Sequence, residues 1–132
     1  QEENIPGRVS QTVQRIVRDT ALARQVKEIY GFSCQVCSTK IVTQVGHYAE
    51  AAHIQPLGVP HNGPDVIENI ICLCPNHHVM FDLGVFSIAD DLSLIGQEGH
   101  LVEVAGHHVG REYLRYHRQH YGVDNGKELT SD

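Results

Sequence analysis

The chain has 132 residues, 41% of them hydrophobic, and a formal net charge of −6. That length suits one domain with a modest core and excludes two ordinary ones. The acidic balance argues against broad electrostatic attraction to nucleic acid, so contact with DNA would need a local basic face, a metal or another domain.

In chain order, residues 1–7 read as a flexible lead-in. From Val9 to Tyr30 apolar residues recur at helical spacing and predict two helices, with Asp19 or Thr20 as the N-cap between them. Arg15 and Arg18 share one helical face and Arg24 and Lys27 another, which reads as ordinary solvated surface. Gly31 ends the second helix, and Cys34-Gln-Val-Cys37 follows. Val42 to Ile54 predicts a strand pair or one long bent strand, with a turn at Gly46. Residues 56–64 form a loop rich in Gly, Pro and Asn, too polar to pack. Val66 to Leu73 predicts another strand, with Asn69 near its start. Pro75 and Asn76 open a short helix over His77 to Leu83, closed by Gly84. Val85 to Ile88 and Leu92 to Ile95 predict a hairpin around Asp90-Asp91, and Leu101 to Val104 a further strand. Gly110 to Tyr121 predicts the last helix, which carries Arg111, Arg115 and Arg118 at i, i+4 and i+7, and residues 123–132 read as flexible.

The chemistry concentrates in Cys72-Leu-Cys-Pro-Asn-His-His78, with Cys34 and Cys37 upstream and His53 and Asn69 between the clusters. Cys-x-x-Cys alone also fits a redox pair. A second group of soft ligands downstream favours zinc, and the whole reads as a metal-stapled unit with a second, catalytic metal. Four cysteines in this spacing suit metal ligation better than disulfides and point to a reducing, cytoplasmic setting. No apolar run is long enough to span a bilayer, and no stretch reads as a signal peptide. The start at Gln1 rather than Met reads as a fragment of a longer protein. Cys72 reads as a buried strand thiol. Asp65 reads as a brace for the loop before Asn69 or as a turn residue. The remaining histidines carry no usable pattern.

Ala52-His53-Ile54, Asn69 and Cys74-Pro-Asn-His-His78, followed by Phe81-Asp82, resemble the HNH endonuclease motif. The run from Tyr30 to Tyr121 is similar to the nuclease domain of bacterial McrA-type restriction enzymes. The resemblance implies a single α+β domain over residues 1–132. Its ββα-metal core carries a structural zinc, has its motif within 34–84, and is flanked by the N-terminal helices and the C-terminal helix. It implies metal-dependent cleavage of double-stranded DNA, with His53 as general base, Asn69 orienting it, and His78 as ligand of a catalytic Mg²⁺, Mn²⁺ or other divalent ion. It places structural zinc on Cys34, Cys37, Cys74 and His77. Many relatives carry a metal-binding Asp or His where this chain has Ala52. Asp82, one helical turn after His78, is the preferred substitute over Glu50. Arg111, Arg115 and Arg118 are the expected phosphate contacts. In the full-length protein a domain that reads modified bases is expected before the nuclease. A homodimer is one way to cut both strands, though the sequence carries no interface signal. The rival reading is a non-catalytic, zinc-stabilised DNA-binding or assembly module, which would need neither His53 nor Asn69.

Overall fold

The computed structural model describes residues 16–123. The first expected helix falls mostly outside them, and residues 16–20 are not helical. Helix α1, Ala21–Ile29, starts where Thr20 caps it: the Thr20 hydroxyl accepts a hydrogen bond from the Ala23 amide at 3.1 Å. Its charged face meets Asp19, which pairs with Lys27 at 3.0 Å and Arg24 at 3.7 Å. The knuckle Cys34–Cys37 follows. A small antiparallel hairpin then forms from β1, Ile41–Thr43, and β2, Gly46–Tyr48.

The centre of the fold is the antiparallel pair β3, Glu50–His53, and β4, Ile70–Leu73. Their register sets Glu50 opposite Leu73 and His53 opposite Ile70. Strand side chains alternate between faces, and both faces are covered here. Ala49, Ala51, Ile70 and Cys72 pack against Ala23 and Val26 of α1. Ala52, Ile54, Ile71 and Leu73 pack against Phe81, Phe86, Ile88 and Leu114. The alanines keep β3 thin, so a helix can lie close on each side. Burial on both faces explains why β4 reads as a continuous apolar run.

Helix α2, Pro75–Asp82, begins directly after β4, with Cys74 at the N-cap position and Pro75 at the first turn, where its missing N–H costs nothing. Gly84 follows at φ +76°, and an added Cβ there would sit 2.3 Å from the Tyr121 ring, so glycine lets the chain leave the helix under α3. Strands β5, Ser87–Ile88, and β6, Leu94–Ile95, make the expected hairpin, and α3, Arg111–His120, closes the domain.

Two expected elements differ. Residues 67–69 form a 3₁₀ turn before β4, so Asn69 ends a turn rather than sitting inside a strand. Leu101–Val104 is not a strand. Its amides are used singly, Leu101 to the Leu92 carbonyl at 2.7 Å and Val102 to the Gln35 carbonyl at 2.8 Å. Gln35, inside the knuckle and only 1% exposed, takes the place of a strand partner. Its side chain accepts from the Cys72 amide at 2.7 Å and donates to the Val102 carbonyl at 2.6 Å.

Candidate active site and metal centre

The knuckle and the start of α2 bring Cys34, Cys37, Cys74 and His77 together, with one ligand atom from each and all four atoms within 4.8 Å of one another. Cys37 Sγ and Cys74 Sγ are 3.9 Å apart, His77 Nδ1 lies 3.4 Å from Cys74 Sγ, and Cys34 Sγ is 3.9 Å from His77 Nδ1. Neighbouring ligands of a tetrahedral ion with metal–sulfur bonds of about 2.3 Å stand about 3.5–3.8 Å apart, so the donor set fits such an ion. Burial pushes the Cys34 thiol up to about 11. Burial also acts to raise Cys37, but hydrogen bonds from Thr39 and the neighbouring cysteines outweigh it and hold this thiol below its ordinary value. Burial lowers His77, which favours the neutral imidazole a metal requires. Cys72 stands outside the group. It is fully buried on the α1 face of β4, and burial pushes its thiol up to about 12.

His78, the next residue, sits elsewhere. Its Nδ1 lies 2.8 Å from Glu50 Oε1 and its Nε2 lies 3.2 Å from Asp82 Oδ2. Successive residues on a helix point about 100° apart, and α2 uses that angle to send two neighbouring imidazoles to two sites. Glu50 also accepts from the Tyr48 hydroxyl at 2.7 Å. Ala52 is fully buried in the core, so β3 offers no ligand at that position.

His53 ends β3 with its side chain 5% exposed and its Nε2 2.7 Å from Asp65 Oδ1. The fully buried Asn69 accepts from the Gln55 amide at 2.9 Å through Oδ1. Its Nδ2 donates to the carbonyls of Gln55 and Pro64, each at 2.9 Å. Asn69 therefore ties both ends of the loop that leaves His53. The loop is packed despite its polarity. Gly63 lies against Gln55 so closely that an added Cβ would be 2.0 Å from the Gln55 carbonyl oxygen, and Gln55 Nε2 donates to the His61 carbonyl at 2.7 Å.

His53, His78 and Asp82 line one cavity of about 470 Å³. Arg18, His61, Tyr116 and His120 line it as well. His61 Nδ1 is 2.5 Å from the Tyr116 hydroxyl, and the His61 and His120 rings meet edge-on at 5.0 Å. His61, Tyr116 and His120 gave no sequence signal, because they come from a loop and from α3 and meet only in the fold. His117 is structural: it stacks on Phe81 at 3.8 Å, and its ring nitrogens lie 2.7 Å from Ser87 Oγ and 2.9 Å from the Phe81 carbonyl.

The expected arginine stripe on α3 needs correction. Arg118 is 4% exposed, donating to the Ile88 carbonyl at 2.8 Å and pairing with Asp90 at 3.0 Å. Arg111 donates to the Asp90 and Val109 carbonyls and pairs with Glu103 at 3.0 Å. Both lie on the Leu114 side of α3, which faces the core. Arg115 alone of the three is exposed. Asp65 also differs from expectation, since its partners are His53 and Thr20 rather than the loop before Asn69.

Residues 34–89 match the HNH endonuclease family. No curated protein sequence matches the chain. A solved structure described as a modification-dependent TagI restriction endonuclease shares the fold, with a TM-score of 0.74 and 41% sequence identity. The similarity covers 78% of this chain and 38% of that one, so this chain spans well under half of the neighbour's length. No helix among the described residues is long and apolar enough to cross a membrane. The chain thus carries an HNH endonuclease domain, in a fold shared with a modification-dependent restriction enzyme.

Proposed function

We propose that this domain hydrolyses DNA phosphodiester bonds with the help of a divalent ion, carries a structural zinc, and serves as the cleavage part of an enzyme that restricts base-modified DNA. The observation that carries this reading is the single cavity lined by His53 from β3 and by His78 and Asp82 from α2. His53 acts as general base on the attacking water, for which a neutral imidazole is suited. Asn69 holds the chain on either side of the 56–63 loop, and with it the end of β3 that presents the base.

His78 and Asp82 are the residues that would hold the divalent ion. Their 3.2 Å separation is close to the roughly 3 Å between adjacent ligands of an octahedral ion at about 2.0–2.1 Å. Glu50 occupies the other ring nitrogen of His78, the usual place of an outer carboxylate that fixes ring orientation. Asp82 is therefore the ligand that compensates for Ala52. An ion bound there stabilises negative charge on the scissile phosphate and the leaving oxygen. Cys34, Cys37, Cys74 and His77 would hold zinc, the ion suited to a thiolate-rich tetrahedral set. The modified-DNA context rests on the neighbour's description. Reading of the modification is assigned to a part of a longer protein outside this domain. Two copies, or two successive nicks by one copy, would complete a double-strand break.

The test is nicking of supercoiled plasmid, modified and unmodified, with Mg²⁺, Mn²⁺ or EDTA. His53→Ala should keep the wild-type zinc content and fold while losing cleavage by about 10²–10⁴-fold, the usual worth of general-base catalysis. Wild-type cutting by His53→Ala, or undiminished cutting in EDTA, would refute the assignment.

A further inference from the structure

We infer that Asp65 is a positioning residue for catalysis: it fixes the tautomer of His53, and so makes Nδ1 the atom that takes the proton from water. The inference rests on the reading of His53 as the base. The Thr20 hydroxyl accepts from the Ala23 amide at 3.1 Å, as the N-cap of α1, and its single proton is then directed at Asp65 Oδ1, 3.0 Å away. An ionised carboxylate only accepts. His53 Nε2, 2.7 Å from that same Oδ1, must therefore carry its hydrogen. In a neutral imidazole the lone pair is then on Nδ1.

Asp65 thus acts through His53 in the way an outer carboxylate orients a catalytic imidazole. It holds the ring plane and selects the proton-accepting nitrogen, and it stabilises the imidazolium that forms once the proton has moved from water to Nδ1. The attachment is firm because Thr20 caps α1, which packs on β3 and β4. The 56–64 loop that brings Asp65 back to His53 is the segment bound at both ends by Asn69. Sequence distance hid the pair, since the two residues stand twelve positions apart.

The experiment compares Asp65→Ala, Asp65→Asn and His53→Ala in plasmid-nicking kinetics, and reads the His53 ring by ¹⁵N–¹H NMR at a pH where the ring is neutral. Wild type should show hydrogen on Nε2 and a bare Nδ1. Asp65→Ala should lower kcat by about tenfold or more, leave KM within about twofold, and mix the two tautomers. Asp65→Asn keeps an oxygen that can accept from both donors, so it should retain the tautomer and more of kcat than Asp65→Ala. A wild-type spectrum with hydrogen on Nδ1, or Asp65→Ala with unchanged kcat, overturns the inference. If instead His53→Ala cuts at the wild-type rate, the base assignment itself fails. The wild-type spectrum decides the tautomer even if an Asp65 variant does not fold.

Discussion

The two histidines at the start of α2 belong to two clusters that are built on opposite terms. The Cys34–Cys37–Cys74–His77 group has its ligand atoms gathered with no cationic partner among the described contacts. Three thiols must lose their protons to hold an ion and would repel one another as thiolates, so only in that form would this cluster need a cation. The cavity group is self-sufficient. His53 has Asp65, His78 has Glu50 and Asp82, and Asn69 has Gln55 and Pro64. Among the described residues no buried side-chain nitrogen or oxygen lacks a partner. An ion held by the first cluster is therefore expected to be coupled to folding, and one held by the second to bind without much effect on the fold.

The sharpest test inside the cavity group is Asn69→Ala. It removes three hydrogen bonds from a fully buried side chain and leaves the Gln55 amide and two carbonyls without their partner. Unsatisfied buried groups cost about 1–3 kcal/mol each, so urea unfolding should show a loss of a few kcal/mol together with reduced nicking. A variant as stable as wild type would mean that the loop holds itself without Asn69.

A smaller effect probes the packing that seats α2. Burial depresses His117 from 6.5 to about 4. Above about pH 6.5 both folded and unfolded chains are neutral at this ring. As pH falls from 6.5 towards 4 the unfolded chain takes up the proton and the folded one does not, so stability is lost over that window and levels off below it. At about 1.4 kcal/mol per pKa unit the loss approaches about 3 kcal/mol. Urea unfolding of wild type and His117→Gln from pH 7.5 to 4 should show a steeper decline for wild type. Parallel declines would refute the buried neutral imidazole.

The sequence carried the ββα order and the positions of most elements, because caps and ends are local: Thr20, Pro75 and Gly84 act within one turn. The knuckle was legible because Cys-x-x-Cys and Cys-x-x-His need that spacing to aim at one ion. Helical spacing also put Arg111 and Arg118 on one face of α3, but periodicity does not say which face meets the core. Here the buried carbonyl of Ile88 and the side chain of Asp90 claim Arg118. Asp65, His61 and Tyr116 stayed hidden because a tied loop and the close of α3 create their partnerships. Gln35 was hidden for the opposite reason, since a buried amide replacing a strand looks like any polar knuckle residue.

The most direct measurement is zinc content, melting temperature and nicking rate on His77→Ala and His78→Ala side by side. Structural zinc can contribute about 10–16 kcal/mol in small domains, against a typical net stability of about 5–15 kcal/mol. His77→Ala should lose or weakly hold zinc and melt far lower. His78→Ala should keep one zinc and a folded domain while losing cleavage, with excess Mg²⁺ or Mn²⁺ restoring part of it. Release of zinc by His78→Ala and its retention by His77→Ala would contradict the assignment of the two sites.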